Sequence, residues 1–187
     1  MSITLALKGL FSVPITQEWL MGQYVASGEQ KYLEQLFDNA NTPLYHFLLT
    51  LSDDELAKDI CQKTWLKVME SKHLYRSDGR FQAWLFTIGR RLLLDEYRKT
   101  NRLQQLEDET AIMSMTIPTD TTELTQAFEW ALMQLPWLQR EAFALQQEGF
   151  GIAEIGDITH ASYETVKSRI RYAKKTLSSL LEKYREQ

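Results

Sequence analysis

A single cysteine, Cys61, stands among 187 residues, together with only four prolines and eight glycines. One thiol excludes an intramolecular disulfide framework and fits a reducing cytoplasm. Scarce Pro and Gly, set against eight Phe, eight Tyr and five Trp, exclude a disordered chain and argue against a Gly-rich β architecture. No apolar run reaches the roughly 18–20 residues of a membrane span, so no membrane insertion is expected. The stretch Met1 to Val13 lacks a basic start followed by a clean apolar block, and reads as an N-terminal extension rather than a signal peptide. His46, His73 and His160 lie far apart with no Cys or carboxylate at ligand spacing, which excludes an obvious metal site. Neither a Gly-rich phosphate loop, a Ser/His/Asp arrangement nor a paired-carboxylate pocket is visible. The expectation is therefore a non-enzymatic protein without a cofactor.

What is present is a soluble composition, 44% hydrophobic and 25% charged, with a formal net charge of −4. That total alone discourages a nucleic-acid reading. Its distribution reverses the impression. Arg90 to Arg102 holds five basic residues (Arg90, Arg91, Arg98, Lys99, Arg102) against two acids, and Tyr163 to Gln187 holds seven against three. Between them, Leu103 to Gln139 has six acids and no Lys or Arg. A local basic face attracts phosphates within a Debye length of roughly 8–10 Å whatever the net charge.

Apolar residues recur at three- and four-residue spacing almost throughout, and no segment alternates cleanly, so the fold class is all-α. Two small helical domains are expected, joined by an acidic flexible linker. Residues 1–18 form the extension, 19–102 a helical bundle, 103–122 the linker and 123–187 a helix-turn-helix domain. Within the bundle, two helices between Trp19 and Leu51 divide near Ser27-Gly28, with an interruption before Pro43. A third begins at Asp53 or Asp54, both good N-caps, and buries Ala57, Ile60, Cys61, Thr64, Trp65 and Val68 on one stripe. A polar turn from Arg76 to Arg80 leads to a long helix from Phe81 to Arg102. The linker carries Glu107, Asp108, Glu109, Pro118 and a tract of Thr116, Thr119, Thr121 and Thr122.

The C-terminal third has the layout of a DNA-binding helix-turn-helix: a helix from Trp137 to Gln147, a short one from Ile152 to about Ile158, the turn Thr159-His160-Ala161, then a helix capped by Ser162. In that last helix Val166, Ile170, Ala173, Leu177, Leu180 and Tyr184 form a buried stripe. Glu164, Lys167, Ser168, Arg171 and Lys175 face away, with Thr165, Arg169 and Tyr172 at the flank. The outer face can neutralise phosphates and touch base edges. The plainer alternative is a solvated basic face on a bundle helix.

Leu132-Met133-Gln134-Leu135-Pro136, Arg140-Glu141-Ala142-Phe143, Glu154-Ile155-Gly156 and Thr165-Val166-Lys167-Ser168-Arg169 closely resemble the C-terminal domain of extracytoplasmic-function (ECF) RNA polymerase sigma factors, small bacterial members of the sigma-70 family. Asp59-Ile60-Cys61-Gln62-Lys63-Thr64-Trp65 resembles the sigma helix that docks on the polymerase clamp helices. Phe81 to Arg91, followed by Asp95 and Arg98, resembles the helix that opens and reads the minus-10 promoter element. The resemblance covers about Trp19 to Tyr184. It implies a factor that binds core RNA polymerase at clamp helices and flap, recognises minus-10 and minus-35 promoter DNA, assists melting, and is regulated by an anti-sigma factor. By the same resemblance, Asp59, Gln62, Lys63, Trp65 and Lys67 bind polymerase. Trp84, Phe86, Arg90, Arg91, Tyr97, Arg98 and Lys99 serve minus-10 DNA, with Leu74 to Arg80 as the wall of a base pocket. Ser162, Thr165, Lys167, Ser168, Arg169, Arg171, Tyr172 and Lys175 serve the minus-35 element, and the acidic linker threads toward the polymerase cleft, mimicking nucleic acid. Melted DNA needs positive charge for its backbone and aromatic surfaces for unstacked bases, which fits the middle set. Trp84 and Phe81 read equally as core, and Asp95 with Arg98 as a surface i, i+3 pair.

Three positions depart from the family pattern: Arg91 replaces a usual Asn, Tyr172 a usual basic residue, and Gly156 a usual Ala. Two rival readings remain at this level. A stand-alone helix-turn-helix regulator would bind an operator without polymerase, and a helical adaptor would give no promoter-dependent transcript.

Overall fold

The computed structural model describes residues 15–76, 80–100 and 123–182. Among these are eight α-helices and no strand: α1 (Gln17–Ser27), α2 (Gln30–Leu51), α3 (Asp54–Ser71), α4 (Phe81–Lys99), α5 (Glu123–Met133), α6 (Trp137–Gln147), α7 (Ile152–Thr159) and α8 (Tyr163–Leu180), with a 3₁₀ turn at Lys72–Leu74. Most of the N-terminal extension, the linker 103–122 and the end of the chain, including Tyr184, lie outside the described residues.

The helix starts follow local chemistry. Thr16 Oγ1 accepts the Trp19 amide at 3.1 Å, Asp53 Oδ1 accepts Leu56 N at 2.9 Å, and Ser162 Oγ accepts Thr165 N at 3.2 Å. Each satisfies an orphan donor of a first turn. Helix α4 has no side-chain cap of its own; instead Glu18 on α1 accepts the Phe81 amide at 3.2 Å. One expectation fails. Helix α2 runs unbroken through Pro43 rather than stopping before it. Proline removes one donor and crowds the turn behind it. Burial of Leu36, Ala40, Leu44, Phe47, Leu48 and Leu51 along the same face outweighs that local cost.

Helices α1 to α4 form the first bundle around Leu20, Met21, Leu44, Phe47, Ile60, Val68, Phe81, Leu85 and Phe86, and the whole expected stripe of α3 is buried. Gly89 lets α4 approach its neighbours. A Cβ there would stand 3.0 Å from Leu44 Cδ1 and 3.3 Å from Thr64 Oγ1.

Helices α5 to α8 form the second unit, with α5 held to α8 by a small cluster of Ala131, Leu135, Phe143, Ala173 and Leu177. The turn between α7 and α8 is tight. His160 closes α7 in the left-handed region at φ 56°, and the Ala161 amide donates to Gly156 O at 3.0 Å. A Cβ at Gly156 would lie 2.9 Å from the Ala161 carbonyl, so this departure from the family's Ala suits the turn as built here.

The two units do not hang apart. Helix α6 packs on α2 and α7 on α4, and one hydrophobic core runs from Leu20 through Phe86 to Trp137, Phe150 and Ile170. The Trp137 indole donates to the Leu51 carbonyl at 3.4 Å, and Phe86 meets Phe150 edge-on with centroids 5.0 Å apart. The two helical domains expected from the sequence are both present, and they pack against each other.

Filling the α4 crossing should be costly. Gly89→Val should destabilise the chain by roughly 1–3 kcal/mol through overpacking, read as a lower midpoint in thermal or urea unfolding. An unchanged midpoint would show that the helices part freely.

Candidate nucleic-acid interface

Three surfaces carry the expected functional residues. On α8, the stripe Val166, Ile170, Ala173 and Leu177 is buried, which turns Lys167, Arg171, Tyr172, Lys174 and Lys175 to solvent. Among the described residues none of these cations is in an ion pair. The Arg171 guanidinium lies 4.9 Å over the Tyr172 ring, which is half exposed. The aromatic face holds that planar cation away from the helix backbone. Tyr172 thus supports the neighbouring arginine where the family usually has a second charge.

The remaining α8 candidates are engaged by neighbouring groups of the protein. Ser162 and Thr165 share a hydroxyl contact at 2.8 Å within the cap. Ser168 Oγ donates to the carbonyls of Glu164 and Thr165, both at 3.0 Å. Arg169 is half-buried and pulls electrostatically on Glu141.

On α4 the candidates also divide. Arg91, Arg98 and Lys99 are exposed. Arg98 pairs with Asp95 at 2.5 Å and Lys99 with Glu96 at 3.1 Å, as the i, i+3 spacing suggested. Half-buried Trp84 packs against Tyr75 at 5.3 Å and Phe81 at 6.3 Å. Phe86 is wholly buried between Phe47 and Phe150. Tyr97 is buried as well, its hydroxyl donating to the Leu51 carbonyl at 2.7 Å. Neither ring is open to a nucleobase in this arrangement. Of the proposed pocket wall, residues 77–79 lie outside the described residues, and Arg80 grips Glu154 on α7 with one nitrogen at 2.8 and 2.9 Å from the two carboxylate oxygens.

Arg90 is the most constrained of the α4 cations. Its Nε donates to Glu141 Oε1 at 2.7 Å and its Nη2 to Oε2 at 3.2 Å, a bidentate pair across the two units. The two side chains are 11% and 1% exposed. Burial pushes the Glu141 carboxyl up, against the opposing pull of Arg90 and then Arg169. Its neighbour Arg140 is also wholly buried, and burial pushes that guanidinium down to about 10. Arg140 Nη1 meets Met133 Sδ at 2.9 Å, while Nε and Nη2 have no acceptor among the described residues.

The third surface is a groove of about 840 Å³ between α2 and α3. Phe37, Leu66 and Met69 on its walls are 42%, 48% and 38% exposed, an unusual density of apolar surface in water. Gln62 and Trp65 line it, whereas Asp59, Lys63 and Lys67 stand outside the lining. Asp59 pairs with Lys63 at 2.6 Å and Lys67 with Glu70 at 3.2 Å. Asn41 Oδ1 accepts from the Trp65 indole at 3.0 Å and from Cys61 Sγ at 3.1 Å, fixing the floor. Sequence reasoning missed Phe37, Leu66 and Met69. The signal existed, because positions 62, 66 and 69 share a second face of α3, but helical spacing singles out the longer buried stripe and not this shorter one.

Among the described residues there is no group of His, Cys, Asp and Glu fit to hold a metal, and no helix long and apolar enough to cross a membrane.

Comparison with known proteins follows the same division. Residues 36–103 match Sigma-70 region 2 and residues 125–177 match Sigma-70, region 4. The chain is similar to the ECF RNA polymerase sigma factor EcfG of Rhodopseudomonas palustris, 34% identical over 72% of this chain and 77% of that one. It is also similar to the ECF RNA polymerase sigma factor SigM of Mycobacterium tuberculosis, 31% identical over 87% of this chain and 83% of that one. Among solved structures, RpoE of Bartonella quintana, in complex with the anti-sigma factor NepR, superposes with a TM-score of 0.68 at 26% identity, over 80% of this chain and 96% of that one. CnrH, in complex with the cytosolic domain of CnrY, shares the fold with a TM-score of 0.60 at 21% identity, over 89% of this chain and 97% of that one.

Burial also pushes the Cys61 thiol up to about 11. At pH 8 only about one molecule in a thousand then carries the reactive thiolate. The native protein should react with iodoacetamide at least about a hundredfold more slowly than the urea-unfolded chain. Comparable rates, followed by mass spectrometry, would show an accessible, sensor-like cysteine instead.

Proposed function

We propose that this chain, which belongs to the ECF RNA polymerase sigma factors of the sigma-70 family, divides promoter-directed transcription initiation among the three surfaces described above. The α2–α3 groove docks core polymerase, its exposed Phe37, Leu66 and Met69 receiving an apolar partner surface and Gln62 adding a polar contact. The clamp helices of polymerase are that partner. Helix α4 engages the minus-10 element, with Arg91, Arg98 and Lys99 as the cations nearest solvent. Helix α8 enters the major groove of the minus-35 element, with Lys167, Arg171 and Lys175 toward DNA, while the second unit meets the polymerase flap. The chain catalyses no bond change itself and acts in the cytoplasm. An anti-sigma factor is its regulatory partner, in keeping with the NepR complex of the similar RpoE.

The observation that carries this reading is the solvent face of α8: a Ser-capped helix at the end of a tight turn, with cations unpaired among the described residues and one arginine stacked on a tyrosine. A basic bundle face has no need of that turn, and a recognition helix does. The decisive experiment is run-off transcription with purified core polymerase. Promoter-dependent transcripts should require this chain, and their absence overturns the proposal.

Two substitutions separate the surfaces. Arg171→Ala should cost roughly 1–3 kcal/mol in minus-35-dependent initiation if the side chain reads a base. Equal loss on scrambled minus-35 sequences would assign it to phosphate binding. Asp59→Ala combined with Gln62→Ala should weaken core-polymerase binding about tenfold, or ~1.4 kcal/mol, with little change in unfolding temperature. Undiminished binding would remove this edge of α3 from the docking site.

A further inference from the structure

We propose that Glu141 and Glu154 act as internal phosphate mimics, which clasp Arg90 and Arg80 and hold the chain in a closed state that masks the part of the minus-10 surface around Phe86 and Arg90. The inference rests on the assignment of α4 to promoter DNA.

The geometry comes first. Arg90 and Arg80 flank the α4 face that carries Phe86, and each is engaged by a carboxylate from the other unit. Glu141 meets Arg90 at 2.7 and 3.2 Å, and Glu154 meets Arg80 at 2.8 and 2.9 Å. A guanidinium binds carboxylate and phosphate oxygens with the same planar, bidentate donor pattern. Glu141 thus meets Arg90 through two nitrogens as a backbone phosphate would, Glu154 meets Arg80 at the start of α4 through a single nitrogen, and DNA reaching either cation must displace its carboxylate.

Ring contacts seal the surface between the clasps. Phe150 covers Phe86 at 5.0 Å and lies 5.6 Å from the Arg80 guanidinium, while Trp137 packs edge-on against Tyr97 at 6.5 Å. Every one of these contacts joins α4, or the loop before it, to α6 or to the α6–α7 segment. The face of α4 that the second unit covers is thus one that a melted strand would need.

A lock must also be able to open. Arg140 lies wholly buried at this junction with two nitrogens lacking acceptors among the described residues. Separation of the units would hydrate it, and would likewise hydrate Arg90 and Glu141. Desolvated charge thus offsets part of the apolar gain of closure, so the closed state dominates in the free chain but lies within reach of a partner's binding energy. A binding partner that favours the open state can then shift the population, and apparent DNA affinity falls in proportion to the open fraction.

The test uses the full chain. Donor and acceptor dyes are placed on Glu55→Cys and Ser178→Cys, exposed positions on α3 and α8, in a Cys61→Ala background. Single-molecule energy transfer should show one short-distance population. Glu154→Arg sets like charges against each other and should create a long-distance population. Arg80→Glu combined with Glu154→Arg should restore the short one, although the Glu154 bond to the Gly151 amide at 2.9 Å is lost in both variants. That rescue separates the clasp from a mere loss of the α7 cap. For masking, anisotropy is measured with a mixed-sequence single-stranded DNA oligonucleotide. Glu154→Arg should bind about 3–10-fold more tightly than Asp157→Arg, which adds the same charge to the same helix but leaves the Arg80–Glu154 pair in place. A long-distance population in the parent protein, or a swap that fails to restore closure, overturns the clasp. Equal DNA affinity of the two variants overturns the masking. The distance readout contains no DNA, so its failure is distinguishable from failure of the promoter-reading role of α4.

Discussion

The Arg90–Glu141 pair is the contact on which this arrangement turns. It joins the two units at a desolvated point, with the carboxylate 1% exposed. A buried ion pair is poor evidence of net stability, because both charges lose their hydration on burial. Its consequence is geometric. Removing one partner strands the other, at a cost on the order of 3–5 kcal/mol, so the units meet in this register or separate fully into water. Intermediate slippage would leave a guanidinium or a carboxylate in the core. The aromatic contacts of Phe86 with Phe150 and of Trp137 with Tyr97 add apolar area to a register that the charges define.

The rest of the molecule is organised around that junction. Helix α4 is central because it packs on α1, α2, α3 and α7 at once, and Gly89 supplies the close approach to α2 and α3. The surfaces that remain open lie away from the junction. The α2–α3 groove keeps its exposed Phe37, Leu66 and Met69, and the outer face of α8 keeps its solvent-facing cations. Packing of the two units therefore acts unequally on the three surfaces: it covers part of α4 and leaves the α2–α3 groove and the outer face of α8 open. The neighbour with a TM-score of 0.68 superposes over 80% of the chain, more than either unit alone could supply.

Much of this was legible in the sequence. The buried stripe of α3, the caps at Asp53 and Ser162, and the turn before α8 follow from short-range rules. Spacing and residue type state them directly. The family motifs added what spacing cannot, namely a role for each helix. Two readings fell short for tertiary reasons. Pro43 reads as an interruption because its missing donor is a local fact, whereas the burial that keeps α2 continuous is not. The family resemblance places Phe86 and Tyr97 on the promoter-facing helix, but it does not show what covers their rings in this structure.

The sequence by itself determined the helices, their caps, the apolar stripes and the zoning of charge, because each depends on residues within a turn or two of one another. Only the tertiary structure decided that Glu141 meets Arg90, that Glu154 meets Arg80, and that the groove between α2 and α3 stays unfilled. Those partners are 51 and 74 residues apart. No local periodicity can pair groups across such a distance. Their meeting follows from how two apolar faces dock, and that docking shields the ion pair from water.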